Sequence, residues 1–423
     1  MNTKSFFEKI FALLILAGFL AACSPAEKTK SVEEMTDDEV KAYADELAHK
    51  FIMVDGHVDL PFRMNIKGFM LTKEVEDVSV ETTGDFDYPK AKKGGLDAPF
   101  MSIYIPSAYQ ETGGAKEFAD SLIDMVSRLP VTFPDLFAMA NSPQDIEKNF
   151  EKGLLSLPMG MENGAPIEDD INNVKYFAER GIRYITLTHG RDNQICDSSY
   201  DTSYTWNGLS PFGEEVVKEM NKWGIMVDIS HVTDSAAFDA LALTKAPAIA
   251  SHSSARNFTP DFHRNMPDTL IKALAENGGV IHINFGSSFL SKENRDKRSK
   301  MTEDLTNYRV ENDLTTDDSV YIAYAKQYAL DVDIYEDIKT VADHIDHVVK
   351  IAGIDYVGFG SDYDGVGDSL PKGLKDVSNY PNLLYELLKR GYTEEDIAKI
   401  CYKNTFRVWN KVQEVAAQMQ AQS

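Results

Sequence analysis

The chain has 423 residues, 43% of them hydrophobic, which is enough for one large α/β barrel or two ordinary domains. Its formal net charge is −24, and a surface so acidic argues against nucleic acid and anionic headgroups as partners. With only three cysteines, the chain is no disulfide scaffold.

Lys4 and Lys9 flank Glu8, and residues 10–22 then run without a charge. That run is shorter than the roughly 20 residues a membrane span needs, so residues 1–22 read as a signal peptide. It ends Leu20-Ala21-Ala22-Cys23, which resembles a bacterial lipobox. Cys23 is therefore expected to be acylated, with residues 23–32 as a tether. The protein would then sit in a bacterial cell envelope, lipid-anchored to a membrane and facing the periplasm or the exterior. Removing a leader with two lysines and one glutamate leaves the mature chain at −25. Cys196 and Cys401 could form one bridge or remain two buried thiols.

Residues 31–50 predict a helix, with Thr36-Asp37-Asp38-Glu39 at its cap. Apolar, β-rich runs follow at 51–55, 99–105, 154–161, 184–188, 225–229, 246–250, 279–285 and 356–360. Amphipathic stretches such as 213–223, 268–277 and 335–352 alternate with them. Eight strands alternating with helices point to a (β/α)8 TIM-type barrel in a single domain over residues 33–411. A doubly wound open sheet has the same periodicity. Residues 291–333 form a charge-rich insertion, read as a solvated excursion, with a lid or a homodimer contact as the alternatives. Residues 412–423 read as a frayed helix end.

The residues that end these runs carry the chemistry. The first run leads into Asp55-Gly56-His57-Val58-Asp59, the third into Glu162, the fourth into His189, the fifth into His231, the sixth into His252 and the eighth into Asp362. Residues two apart in a strand share a side, so His57 and Asp59 can grip one metal. In a barrel all these positions converge on the C-terminal face. Four of nine histidines fall at strand ends beside three acids. His49, His263, His282, His344 and His347 have structural explanations. Imidazole and carboxylate without thiolate suit a catalytic zinc. The donors exceed what one open zinc site needs, and Glu162 is the natural bridge of a pair whose shared water would be acidified to hydroxide.

These segments resemble the motifs of the membrane (renal) dipeptidase family, in its order. They include His57-Val58-Asp59, Gly160-Met161-Glu162-Asn163-Gly164, Thr186-Leu187-Thr188-His189 and Asp228-Ile229-Ser230-His231. Ser251-His252-Ser253-Ser254-Ala255, Arg264-Asn265-Met266-Pro267-Asp268 and Gly360-Ser361-Asp362-Tyr363-Asp364-Gly365 complete them. The resemblance implies a metal-dependent hydrolase barrel that cleaves dipeptides, with a D-residue tolerated at the C-terminal position. It implies two zinc ions, one on His57, Asp59 and Glu162, the other on Glu162, His231 and His252. It assigns His189 to the substrate and its oxyanion, Asp362 to proton transfer and Arg264 to the substrate's terminal carboxylate. On the residues alone, Arg264 could instead pair with Asp261 or Asp268 of its own loop. Two departures concern the pocket: Gly190 and Arg191 stand where some relatives have a cysteine, and Asn284-Phe285 is followed by Gly286-Ser287-Ser288 where familiar members often carry tyrosine.

Two rival readings are a different dinuclear amidohydrolase and a non-catalytic lipoprotein that binds peptide or metal. The first typically carries His-x-His on the first strand and a bridging carboxylated lysine, where this chain has His57-x-Asp59 and Glu162. The second would be expected to have lost a ligand or Asp362.

Overall fold

A computed structural model describes residues 30–65 and 76–422 of the chain; Cys23 and the expected leader lie outside them. The strands are β1 (Val54–Val58), β2 (Ala98–Tyr104), β3 (Phe137–Met139), β4 (Leu155–Leu157), β5 (Met159–Glu162), β6 (Ile182–Thr186), β7 (Met226–Asp228), β8 (Ile249–Ser253), β9 (Val280–Ile283) and β10 (Val357–Phe359). Eight of them close a parallel barrel in the order β1-β10-β9-β8-β7-β6-β5-β2, while β3 and β4 pair apart from it. A barrel strand has side chains packed on the inside and helices on the outside. That is why these runs are continuously apolar rather than alternating, and why β1, β5 and β8 are buried along their whole length.

The helices start where local chemistry predicts. Thr36 caps Asp37–Lys50 in a capping box with Glu39, while residues 32–34 form a separate short turn. Ser210 caps Pro211–Trp223, which ends at Gly224 in the left-handed region.

The N-terminal end of the barrel is closed by the helix Asn404–Ala421. Its Trp409 and Val412 pack with Val54, Ala98, Met226 and Val280, residues at the starts of their strands. The frayed tail expected from residue 412 is corrected by this packing, since Val412, Val415 and Ala416 are buried. The sequence pattern there is sparse because only one narrow face meets the barrel. Truncating a buried tryptophan costs about 3–5 kcal/mol, a large share of a net stability of order 5–15 kcal/mol.

Residues 291–333 form two helices, Lys292–Glu311 and Ser319–Val332, held together by stacking of Tyr308 on Tyr324. Asn294 and Leu305 are the buried residues of the first helix and Ala329 of the second, so most of the insertion is solvated as expected. Cys196 and Cys401 are free and buried, which removes the bridge.

Candidate active site

The expected site residues converge at the end of the barrel opposite Trp409. β1 presents His57 from within the strand. Asp59 reaches the same side by a different route from strand alternation. It stands at the turn into the helix Leu60–Met64, its N–H donating to the Tyr363 carbonyl, and its Oδ2 lies 3.5 Å from His57 Nε2. Glu162 ends β5 with its two oxygens facing different partners. Oε2 lies 3.4 Å from His57 Nε2, whereas Oε1 lies 3.0 Å from His231 Nε2, 3.2 Å from His252 Nε2 and 3.6 Å from His189 Nε2. His231 and Asp362 follow their strands at φ of 69° and 63°. Such left-handed backbone is uncommon for histidine and clusters at functional sites.

The donors fit a metal. Two buried atoms of the site, His57 Nε2 and Asp59 Oδ1, have no hydrogen-bond partner among the described residues, although buried polar atoms are normally paired. The opposite nitrogens of two rings are held from behind. The Tyr184 hydroxyl lies 2.8 Å from His57 Nδ1. Ser251 donates its only hydroxyl proton to Asp228 at 2.6 Å, so at 2.8 Å it must accept from His252 Nδ1–H. That assignment leaves the lone pair of His252 Nε2 directed at Glu162. Outer partners of this kind orient metal-binding imidazoles. Gly160 makes the Tyr184 contact possible, because a Cβ there would overlap the phenol ring.

Donor atoms within 4.8 Å of one another form three triplets: His57 with Glu162 and His252, Glu162 with His189 and His231, and His57 with Asp59 and Asp362. His57 and Glu162 each belong to two triplets, so the donors form one continuous cluster, and His189 and Asp362 lie as close to it as the expected ligands.

The electrostatics of the cluster follow from its burial and from the charges within it. Burial opposes ionisation of Glu162, but the surrounding imidazoles, His57 foremost, outweigh it and hold the carboxyl well below its usual range. Burial, aided by the Arg264 charge, keeps His231 and His252 neutral, the form that ligates. Burial likewise lowers His57, but Tyr184, Glu162 and Asp59 overcome it and push that ring up. Asp362 is driven well above the carboxylate range by burial and by Asp59, and Asn284 donates to its Oδ2 at 2.7 Å.

Arg264 is buried and does not pair with Asp261 or Asp268. Its Nη atoms donate to Ser253 Oγ at 2.6 Å and to the His252 carbonyl at 2.7 Å, and its Nε has no partner among the described residues. Asp261 lies 3.6 Å from Lys292 instead, and Asp268 lies 2.8 Å from His347. His282, bonded to the Ala250 carbonyl and Thr405, and His344, bonded to the Ala255 amide and the Leu290 carbonyl, are structural as expected.

The donors open into a cleft of about 590 Å³ whose walls include Tyr104, Tyr200, Phe289 and Arg298, within the range of small-molecule sites. Sequence reasoning missed these walls, along with Tyr184, Asp228, Ser251 and Asn284. Asp228 carried a usable signal, as an acid inside the apolar run Met226-Val227-Asp228-Ile229.

The sequence model of the membrane dipeptidase family, peptidase family M19, matches residues 41–423. Among solved structures, the probable dipeptidase PvdM from Pseudomonas aeruginosa superimposes with a TM-score of 0.74 at 26% identity, covering 90% of this chain and all of that one. A metallopeptidase from Rhodobacter sphaeroides, liganded with a phosphinate mimic of the dipeptide L-Ala-D-Ala, has a TM-score of 0.67 at 23% identity, covering 86% of this chain and 99% of its own. This second likeness concerns the fold. With the family match running through every barrel strand and every donor of the cluster, the chain belongs to the membrane dipeptidase family of metallopeptidases.

Proposed function

We propose that this metallo-dipeptidase works with two zinc ions, His57, Asp59 and Glu162 holding one and Glu162, His231 and His252 the other. The observation that carries the reading is the division of Glu162, one oxygen toward His57 and the other toward His231 and His252. Imidazole and carboxylate donors without thiolate are a zinc set. When bound, the pair supplies Lewis acidity toward the peptide carbonyl and an acidified water.

The chain's own residues do the rest. Asp362, fixed at one oxygen by Asn284, accepts the proton of the attacking water and delivers it to the leaving amine. Burial lowers His189 below the usual imidazole range, so it stays neutral and donates to the carbonyl oxygen as charge develops there. Arg264, a buried cation that among the described residues has no acidic partner and an unpaired Nε, receives the terminal carboxylate of the substrate. The mimic bound by the Rhodobacter sphaeroides relative supports tolerance of a D-residue at the C-terminal position.

Elemental analysis of protein kept free of chelator is expected to give about two zinc ions per chain. Fully active protein with a ratio fixed at one would overturn the paired centre. Envelope anchoring through Cys23 is tested separately: Cys23→Ser should move the protein from the detergent phase to the aqueous phase on partition, and unchanged partitioning would remove the lipobox reading.

A further inference from the structure

The solvated helix Lys292–Glu311 is pinned to the barrel rim along one face. Asn294 donates to the Ile334 carbonyl at 2.5 Å. One turn on, Arg298 donates to the Asp368 carbonyl at 3.0 Å and to the Ile334 carbonyl at 3.5 Å. These acceptors are neutral, so they fix the guanidinium without cancelling its charge. The Asp368 carboxylate accepts from the Tyr335 hydroxyl at 2.7 Å and acts on Arg298 through space, offsetting its charge in part. Arg63, the other arginine of the cleft wall, is instead tied to Asp364 and Glu76. Arg298 thus brings to the cleft a positive charge and N–H donors in the fork geometry that matches a carboxylate.

Its place relative to Arg264 defines what it would meet. The Arg264 guanidinium lies 5.5 Å from the centre of the Phe289 ring, and Phe289 lines the same cleft as Arg298, Glu162 and Asp362. A dipeptide whose terminal carboxylate is taken by Arg264 would have that residue beside Phe289, in the cleft that Arg298 also lines. A chain of net charge −24 repels anionic substrates at a distance, so an acidic side chain is accepted only where a local cation meets it.

We propose that Arg298, delivered by the 291–333 hairpin, binds a side-chain carboxylate of the substrate's C-terminal residue and makes the enzyme selective for dipeptides ending in aspartate or glutamate. The inference rests on the dipeptidase reading of the site and adds its substrate class.

The test compares Ala-Asp with Ala-Asn and Ala-Glu with Ala-Gln, the C-terminal residue supplied in both L and D forms, on zinc-loaded wild type, Arg298→Met and Arg298→Lys. Each protein is scored by its own ratio of kcat/KM for acid over amide, so a general loss of activity cancels. Wild type is expected to favour at least one acid by roughly tenfold or more, Arg298→Met to fall to near parity, and Arg298→Lys to keep part of the preference. Equal ratios in wild type and Arg298→Met, with dipeptides still cleaved, overturn the role of Arg298 and leave the dipeptidase reading standing. If wild type cleaves no dipeptide, that reading falls. Calorimetric binding of the same pairs to zinc-loaded Asp362→Asn, with and without Arg298→Met, then decides the Arg298 inference by the same ratio.

Discussion

Glutamine in place of Glu162 is expected to strip the site of metal and turnover together. The two carboxylate oxygens serve opposite halves of the cluster, His57 on one side and His231 with His252 on the other. A carboxamide keeps the shape but offers one acceptor oxygen and no charge, so at least one half loses its ligand and the whole cage loses its anion. Zinc content should fall below one per chain and kcat/KM by ~10³-fold or more, with the far-ultraviolet circular dichroism unchanged. Full metal content with activity within tenfold of wild type would sink the bridging role. Metal-free protein offers a second readout. Surrounding imidazoles outweigh burial and hold this carboxyl well below 4.5. Its contribution to stability is therefore present above that value and lost as the pH falls through its folded pKa. Variant and wild type should differ in Tm at pH 7 and converge in acid.

Asparagine at position 362 should separate chemistry from metal binding. Asp362 shares a donor triplet with His57 and Asp59, but one of its oxygens is already occupied by Asn284. Burial and Asp59 keep the carboxyl well above its usual range, which makes it a stronger base than an ordinary carboxylate. The amide cannot exchange that proton. Turnover at saturating substrate should drop by roughly two to four orders of magnitude, the typical worth of general acid–base catalysis, with zinc content and KM close to wild type. Loss of one zinc instead would make Asp362 a ligand and require another base.

The barrel was legible because parallel strands buried on both faces leave continuous apolar runs, and all eight such runs became barrel strands. Their ends were less legible. The first run was placed at 51–55 and the strand is Val54–Val58; the sixth at 246–250 and the strand is Ile249–Ser253. In both, polar motif residues belong to the strand because the barrel buries them and supplies their partners. The run at 154–161 proved to be two strands parted at Pro158, the first pairing with β3 outside the barrel. The metal donors stood out because histidines and acids at strand ends recur in one structural position. Tyr184 and Ser251 did not, since a tyrosine or serine in a strand has many uses, and only the fold sets them behind His57 and His252. Arg298 was illegible for a different reason: it is one cation among many in a charged insertion, and only the path of the hairpin turns it toward the cleft.

The helix that seals the N-terminal end of the barrel also governs traffic. With Trp409 and Val412 packed across the strand starts, that end of the barrel is filled, and the cleft beside Glu162 is the doorway at the other. A dipeptide entering and two amino acids leaving must use that doorway in turn, so departure of the products competes with arrival of the next substrate. If Arg264 holds the C-terminal half by its carboxylate, as proposed, that half is the slower to go.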